Sequence, residues 1–149
     1  MAILEIKKYP EPVLMKKAEK IKEITPEIKK LSEDMMETML KTEPEGVGIA
    51  APQVGVSKRM FVAQTAEGPR VFINPQLKKK SRETEIMEEG CLSLPGVWLK
   101  VKRVKKVELK GLDINGKKIK TKAEGLYARI LQHEIDHLDG ILIRDKEVL

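Results

Sequence analysis

Residues 132–137 read QHEIDH, and this stretch contains both histidines of the 149-residue chain. Residues four positions apart on an α-helix lie one above the other, so His133 and His137 can reach the same point beside the helix. Two histidines placed at random in such a chain would lie four apart in only about 1% of cases. The stretch therefore predicts a helix that supplies two nitrogen ligands to one metal ion.

The helix that carries QHEIDH is expected to begin near Gly125 and to stop at Asp139-Gly140, because glycine commonly follows a last helical turn. Leu126 and Ile130 precede the histidines on the same helical stripe. We therefore expect an apolar wall beside the metal ligands.

Glu134 follows the first histidine directly and is rotated by about 100° around the helix axis. This position lets its carboxylate touch a water on the metal without binding the metal itself. A catalytic centre of this kind usually has three protein ligands, and no third histidine exists. The candidates for the third ligand are a carboxylate or Cys91, although a lone cysteine is as often a small buried hydrophobe.

The first helix is predicted from residue 26 to about 41, after an N-cap at Thr25 and a proline at the first helical position. Apolar residues recur there at helical spacing, and we expect its methionines to fill the core. Pro44 and Gly46 should end this helix.

Short β-prone runs occupy the region between the helices, and Asn115-Gly116 predicts a tight hairpin turn. We expect a single α+β domain over residues 1–149, in which mainly antiparallel sheets pack around the C-terminal metal-binding helix, with one N-terminal amphipathic helix. The runs are 60–63, 71–74, 97–102, 107–110 and 118–121.

The sequence predicts a soluble protein, because it contains no run of eighteen apolar residues and no recognisable secretory leader. One cysteine excludes an internal disulfide and is consistent with the cytoplasm. The net charge is +6, from 29 basic and 23 acidic residues of interleaved sign. Only 3% of the residues are aromatic, so we expect neither a membrane partner nor sequence-specific recognition of nucleic acid.

Residues 46–53 read GVGIAAPQ. Its small residues leave the backbone open to close approach by a ligand or another chain segment. A phosphate-binding loop would need further glycine or a Gly-Lys-Ser ending, which this stretch lacks. Gln53 ends the run with an uncharged hydrogen-bond donor suited to a developing oxyanion.

GVGIAAPQ at 46–53, EGCLS at 89–93 and QHEIDH at 132–137 together resemble the three signature motifs of bacterial peptide deformylases, in the same order. The resemblance covers nearly the whole chain. It implies a metal-dependent hydrolase that removes the N-formyl group from the formyl-methionine of nascent polypeptides and releases formate.

Each motif position implies a role. Cys91 becomes the third ligand beside His133 and His137, and Glu134 becomes the general acid and base. The metal implied is Fe(II), with Zn(II), Ni(II) or Co(II) able to occupy the same ligands. Gln53, through its side chain, and Leu92, through its backbone N–H, are implied donors to the oxyanion.

The substrate pocket implied by the same resemblance includes Val47, while Gly48 and Gly90 offer backbone groups to the peptide. Leu126 and Ile130 add the apolar wall that a methionine side chain needs. Only twelve residues follow His137. We therefore expect no ribosome attachment through a long C-terminal tail, although transient contact through a basic surface stays open.

Two other classes share parts of this pattern. A metallopeptidase of the HExxH class has the same helix, but it normally takes a third ligand downstream, where only Asp139, Asp145 and Glu147 are available. An RNA-associated protein with a structural metal would normally provide four ligands. The chain has three of the usual kind, which favours an open metal position.

Overall fold

The protein is described by a computed structural model over residues 2–42 and 46–148. Two α-helices, α1 (Pro26–Leu40) and α2 (Gly125–Leu138), accompany seven strands and three short 3₁₀ turns at Pro12–Met15, Ala51–Val54 and Ile143–Lys146. The strands are β1 (Gly48–Ala50), β2 (Met60–Thr65), β3 (Gly68–Lys80), β4 (Thr84–Cys91), β5 (Leu94–Val104), β6 (Lys106–Leu112) and β7 (Lys118–Glu124).

Every pair of neighbouring strands in the two sheets is antiparallel, which confirms the predicted α+β class. Five strands form one sheet in the order β1-β2-β3-β6-β7, and β4 and β5 form a separate two-stranded sheet. The β6–β7 hairpin turns at Asn115-Gly116, where Gly116 has a φ of +80°. The predicted tight turn is therefore present, with the positive φ that such turns require.

Helix α1 begins as predicted, because the Thr25 side chain accepts a hydrogen bond from the Ile28 N–H at 3.3 Å and proline occupies the first turn. The helix ends at Leu40. Pro44, which we expected to end it together with Gly46, lies outside the described residues. Met35 and Met39 are fully buried, so these methionines fill the core as expected.

The five-stranded sheet packs against a different helix on each of its faces. Along β2, Phe61 and Ala63 face α2, whereas Met60 and Val62 face α1. Successive side chains of a strand point to opposite faces, so both faces of β2 are apolar and buried. This packing fixes α2 across the sheet and directs its histidine stripe toward β1 and β4. Neither described helix is long and apolar enough to cross a bilayer.

Candidate metal centre

Three donor atoms converge beside α2. The Nε2 atoms of His133 and His137 lie 3.2 Å apart, and Cys91 Sγ lies 3.3 Å from His137 Nε2. All three ligand atoms lie within 4.8 Å of one another. Cys91 reaches this point because it ends β4, which pairs with β5 beside the helix. The structure thus brings together the three residues predicted as ligands.

These separations fit a metal ion. A tetrahedral centre with a metal–sulfur distance of ~2.3 Å and metal–nitrogen distances of ~2.1 Å places its ligand atoms ~3.4–3.6 Å apart. His137 is buried, and its Nδ1 has no hydrogen-bond partner among the described residues. Burial and the neighbouring His133 hold the pKa of His137 well below its ordinary value, which favours the neutral form that a metal ligand requires.

The Glu89 carboxylate orients the first histidine. Glu89 Oε1 lies 3.0 Å from His133 Nδ1, which leaves His133 Nε2 directed toward Cys91 and His137. Burial lowers the pKa of His133, but its contacts with Cys91 and Glu89 outweigh that effect and raise the pKa to about 10. A metal ligand must be neutral, so binding of a cation at this point would displace the proton from His133.

Two buried arginines hold Glu89 in place. Arg103 donates from Nε at 2.7 Å and from Nη2 at 3.0 Å, and Arg129 donates from Nη1 at 2.5 Å. Burial raises the pKa of Glu89, but hydrogen bonds with His133 and Arg103 outweigh this and hold the pKa well below its usual range. This network was not predicted from the sequence, although Glu89 adjoins Gly90 and Cys91 in the EGCLS motif.

Glu134 lies beside the donor atoms but outside the ligand set. It is 3% exposed, and its Oε1 has no hydrogen-bond partner in the described part of the chain. Burial is the main reason why its pKa rises to about 7. A Cβ atom at Gly48 would lie only 2.6 Å from Glu134 Oε2. Glycine at position 48 therefore lets strand β1 approach the carboxylate.

The Gln53 side chain points at the same centre. Its Oε1 accepts a hydrogen bond from the Ala50 N–H at 2.9 Å, and its Nε2 lies 3.7 Å from Cys91 Sγ and 3.2 Å from Ser93 Oγ. The amide is therefore held with its donor toward Cys91, one of the predicted ligands. Leu92, the other predicted oxyanion donor, directly follows Cys91 and is half-buried.

A cleft of about 580 Å³ opens onto these groups. It is lined by all five residues predicted to bind substrate. Met87 and Trp98, which were not predicted as site residues, line it as well. The Trp98 ring covers Gly90 so closely that a Cβ there would lie 2.9 Å from it. The five predicted residues are Val47, Gly48, Gly90, Leu126 and Ile130.

Three protein donors around one point, with a buried carboxylate beside them and a cleft leading in, define the class of open metal centres found in metallohydrolases. The family model described as polypeptide deformylase matches residues 3–148. The chain therefore belongs to the polypeptide deformylase family.

Curated relatives and solved structures agree with this assignment. The chain is 54% identical to a peptide deformylase of Thermodesulfovibrio yellowstonii, covering 98% of this chain and 90% of the relative. It is 51% identical to one of Halothermothrix orenii, covering 99% and 96%. The crystal structure of peptide deformylase from Thermotoga maritima superposes with a TM-score of 0.95 at 40% identity and covers 100% of both chains. The enzyme from Ehrlichia chaffeensis in complex with actinonin gives 0.94 at 38% identity, covering 99% and 90%.

Proposed function

We propose that this protein is a metal-dependent hydrolase that removes the formyl group from the N-formylmethionine of nascent polypeptides. The observation that carries the proposal is the convergence of Cys91, His133 and His137 on one point beside the buried Glu134 carboxylate. Membership of the polypeptide deformylase family supports the reaction.

Cys91, His133 and His137 would hold the metal. A thiolate with two imidazoles suits Fe(II) or Zn(II), and we propose Fe(II) because the motifs resemble those of an iron-dependent family. When bound, such a cation supplies Lewis acidity, which lowers the pKa of water from 15.7 to about 7 and polarises a carbonyl oxygen. Glu89 fixes the orientation of His133, and its two arginine partners fix Glu89.

Glu134 moves the proton. Its carboxylate takes a proton from the attacking water and later gives it to the nitrogen of the leaving amine. A carbon–oxygen bond forms at the formyl carbon and the carbon–nitrogen bond breaks, so formate and a free amino terminus are released. The Gln53 Nε2 donor and the Leu92 backbone N–H stabilise the oxygen that gains charge.

Two sheet edges border the cleft and can bind the peptide backbone. Strand β1 is an edge of the five-stranded sheet, and among the described strands β4 pairs with β5 alone. Gly48 on β1 and Gly90 on β4 both line the cleft. An extended peptide between them would gain main-chain hydrogen bonds, as in other cases of strand addition.

The first side chain of the substrate would lie against the apolar wall. Ile130 is half-buried and Leu126 is 62% exposed at the mouth of the cleft, with the 51% exposed Val47 nearby. A formyl group has only hydrogen on the far side of its carbon, so a tight site can exclude acetyl groups and internal peptide bonds. We propose that the enzyme acts in the cytoplasm, where transient contact with the ribosome stays a prediction.

Formate release from formyl-Met-Ala-Ser by protein purified without oxygen tests this function. We expect iron in the purified protein, formate release from the formyl peptide and none from acetyl-Met-Ala-Ser. Comparable release of formate and acetate would refute the proposed exclusion, and zinc in place of iron would refute the metal assignment. Digestion of casein without formate release would instead indicate a metallopeptidase.

A further inference from the structure

One half of a sheet face is left uncovered and is rich in lysine. Helix α1 packs over β1 and β2, and no described helix covers the same face of β6 and β7. The antiparallel register places alternate residues of these strands, together with the paired end of β3, on that face. We call it the lysine face, and it consists of the exposed Lys79, Lys106, Lys110, Lys118, Lys120 and Lys122 with Glu108 and Glu124.

The two acidic residues of the lysine face neutralise only part of its charge, and one of them, Glu124, lies 3.7 Å from the Lys106 ammonium. Glu108 has a side chain only 7% exposed, and it lies 2.9 Å from the Lys120 ammonium and 3.8 Å from that of Lys79. Hydrogen bonding to Lys120 is the main reason why the pKa of Glu108 is lowered, so this carboxylate stays ionised beneath the lysines. Six lysines against two glutamates leave four of the six net charges of the chain on this face.

The arrangement carries a local electrostatic cost. Lys110 and Lys120 lie directly opposite each other on neighbouring strands, and like charges in such pairs destabilise a sheet. Lysines on an edge strand prevent unwanted strand pairing, which would account for those of β7. It does not account for Lys110, which is paired on both sides, with Gln76 of β3 and with Lys120 of β7. Glu108 offsets this cost at Lys120, whereas Lys110 forms no ion pair among the described residues. Uncompensated charge of this kind is typical of a functional surface.

We propose that the lysine face binds the phosphate backbone of RNA. Lysine ammonium groups are effective point-charge ligands for phosphate. No aromatic side chain in the described ranges belongs to the face, so bases would not be read by stacking, and binding would be independent of sequence. Protein partners usually require apolar, aromatic or arginine anchors, which the exposed residues of this face do not include.

The lysine face is separate from the cleft. The residues that line the cleft belong to β1, β4, β5, α2 and neighbouring loops, and none of them lies on the lysine face. Lys79, Lys106 and Lys122 line a different groove, of about 520 Å³. RNA and a peptide substrate could therefore be bound at the same time.

Fluorescence anisotropy with a labelled double-stranded RNA of arbitrary sequence tests the proposal on the metal-loaded full chain. Each phosphate contact contributes about −0.9 to the slope of log affinity against log salt, so four contacts would weaken binding about 50-fold between roughly 50 and 150 mM salt. The variant K118Q/K120Q/K122Q should lose at least about tenfold in affinity, and its slope should become about 2–3 units shallower.

The matched control is K16Q/K17Q/K20Q, which removes the same charge from three exposed lysines outside the lysine face. It should keep the wild-type affinity and slope, and both variants should keep wild-type formate release, which also shows that they fold. Equal losses in the two variants would mean that only net charge attracts RNA and would overturn the proposal. Absence of salt-dependent binding, or competition by polyglutamate as strong as that by unlabelled RNA, would also overturn it.

Discussion

Replacing Glu89 by alanine should weaken both the fold and the metal site. The carboxylate is 7% exposed and accepts hydrogen bonds from the guanidinium groups of Arg103 and Arg129. It also lies 3.0 Å from His133 Nδ1. Glu89→Ala therefore leaves two buried cations without this partner and frees the ring of one proposed metal ligand to rotate.

The size of the expected loss of stability depends on the contacts that the two arginines keep in the variant. Breaking a buried ion pair by removing one partner costs about 3–5 kcal/mol. Arg103 keeps Asp136 at 2.7 Å, and Arg129 keeps the Val101 and Glu85 carbonyls at 3.0 and 2.6 Å. We therefore expect a loss at the lower end of this range, about 3 kcal/mol. It corresponds to a decrease of about 6–12 °C in Tm for a chain of this size.

The effect on the metal should be separable from the effect on the fold. Loss of a group that orients a ligand typically lowers metal affinity by about 10–100-fold. Thermal unfolding of the metal-free protein measures the first effect, and competition with a chelator measures the second. Glu88→Ala is the matched control, because Glu88 precedes Glu89 on β4 but is exposed opposite Lys100. The free energy of unfolding of this control should stay within about 0.5 kcal/mol of the wild-type value.

The same Tm and metal affinity in the two variants would refute both proposed roles of Glu89. A loss of stability in Glu89→Ala with wild-type metal affinity would refute only its role at the metal site. In that case the Glu89 contact would support only the arginines and would not orient His133.

Three further predictions concern the cleft. Glu134→Gln should keep the metal but lose about 10²–10⁴-fold in kcat for formate release, because the amide cannot carry the proton. Cys91→Ala should retain less metal after dialysis, because one of three donors is lost. Gly48→Ala should lower the rate of formate release without changing metal content, because its Cβ would lie 2.6 Å from Glu134 Oε2.

For each of these three variants, one outcome would contradict the prediction. A near-wild-type rate for Glu134→Gln would exclude this carboxylate as the proton carrier. Unchanged metal content in Cys91→Ala would place the third ligand elsewhere. A wild-type rate for Gly48→Ala would mean that β1 gives way to the added methyl group.

Much of the fold was predictable because its signals are local. Helical spacing, an N-cap and a turn dipeptide identified both helices and the β6–β7 hairpin, each of which is specified within a few neighbouring residues. Strand β1 was missed because three residues show no periodicity. Strand β4, Thr84–Cys91, is absent from the predicted runs, because its mostly exposed, acidic sequence does not alternate with a buried face.

The sequence by itself determined that His133 and His137 share one side of a helix with Glu134 next to them, because helical geometry relates residues one turn apart. Motif resemblance added Cys91 and Gln53 to this group. Only the tertiary structure decided that Cys91 Sγ lies 3.3 Å from His137 Nε2, 46 positions along the chain.

The tertiary structure also decided which buried charges support the centre. Glu89, Arg103 and Arg129 come from two strands and a helix, and nothing in their spacing predicts that they meet. Their contacts depend on the β4–β5 register and on how that sheet packs against α2. A local pattern specifies neighbours within a turn or a pleat, whereas contacts between distant elements are set by packing of the whole chain.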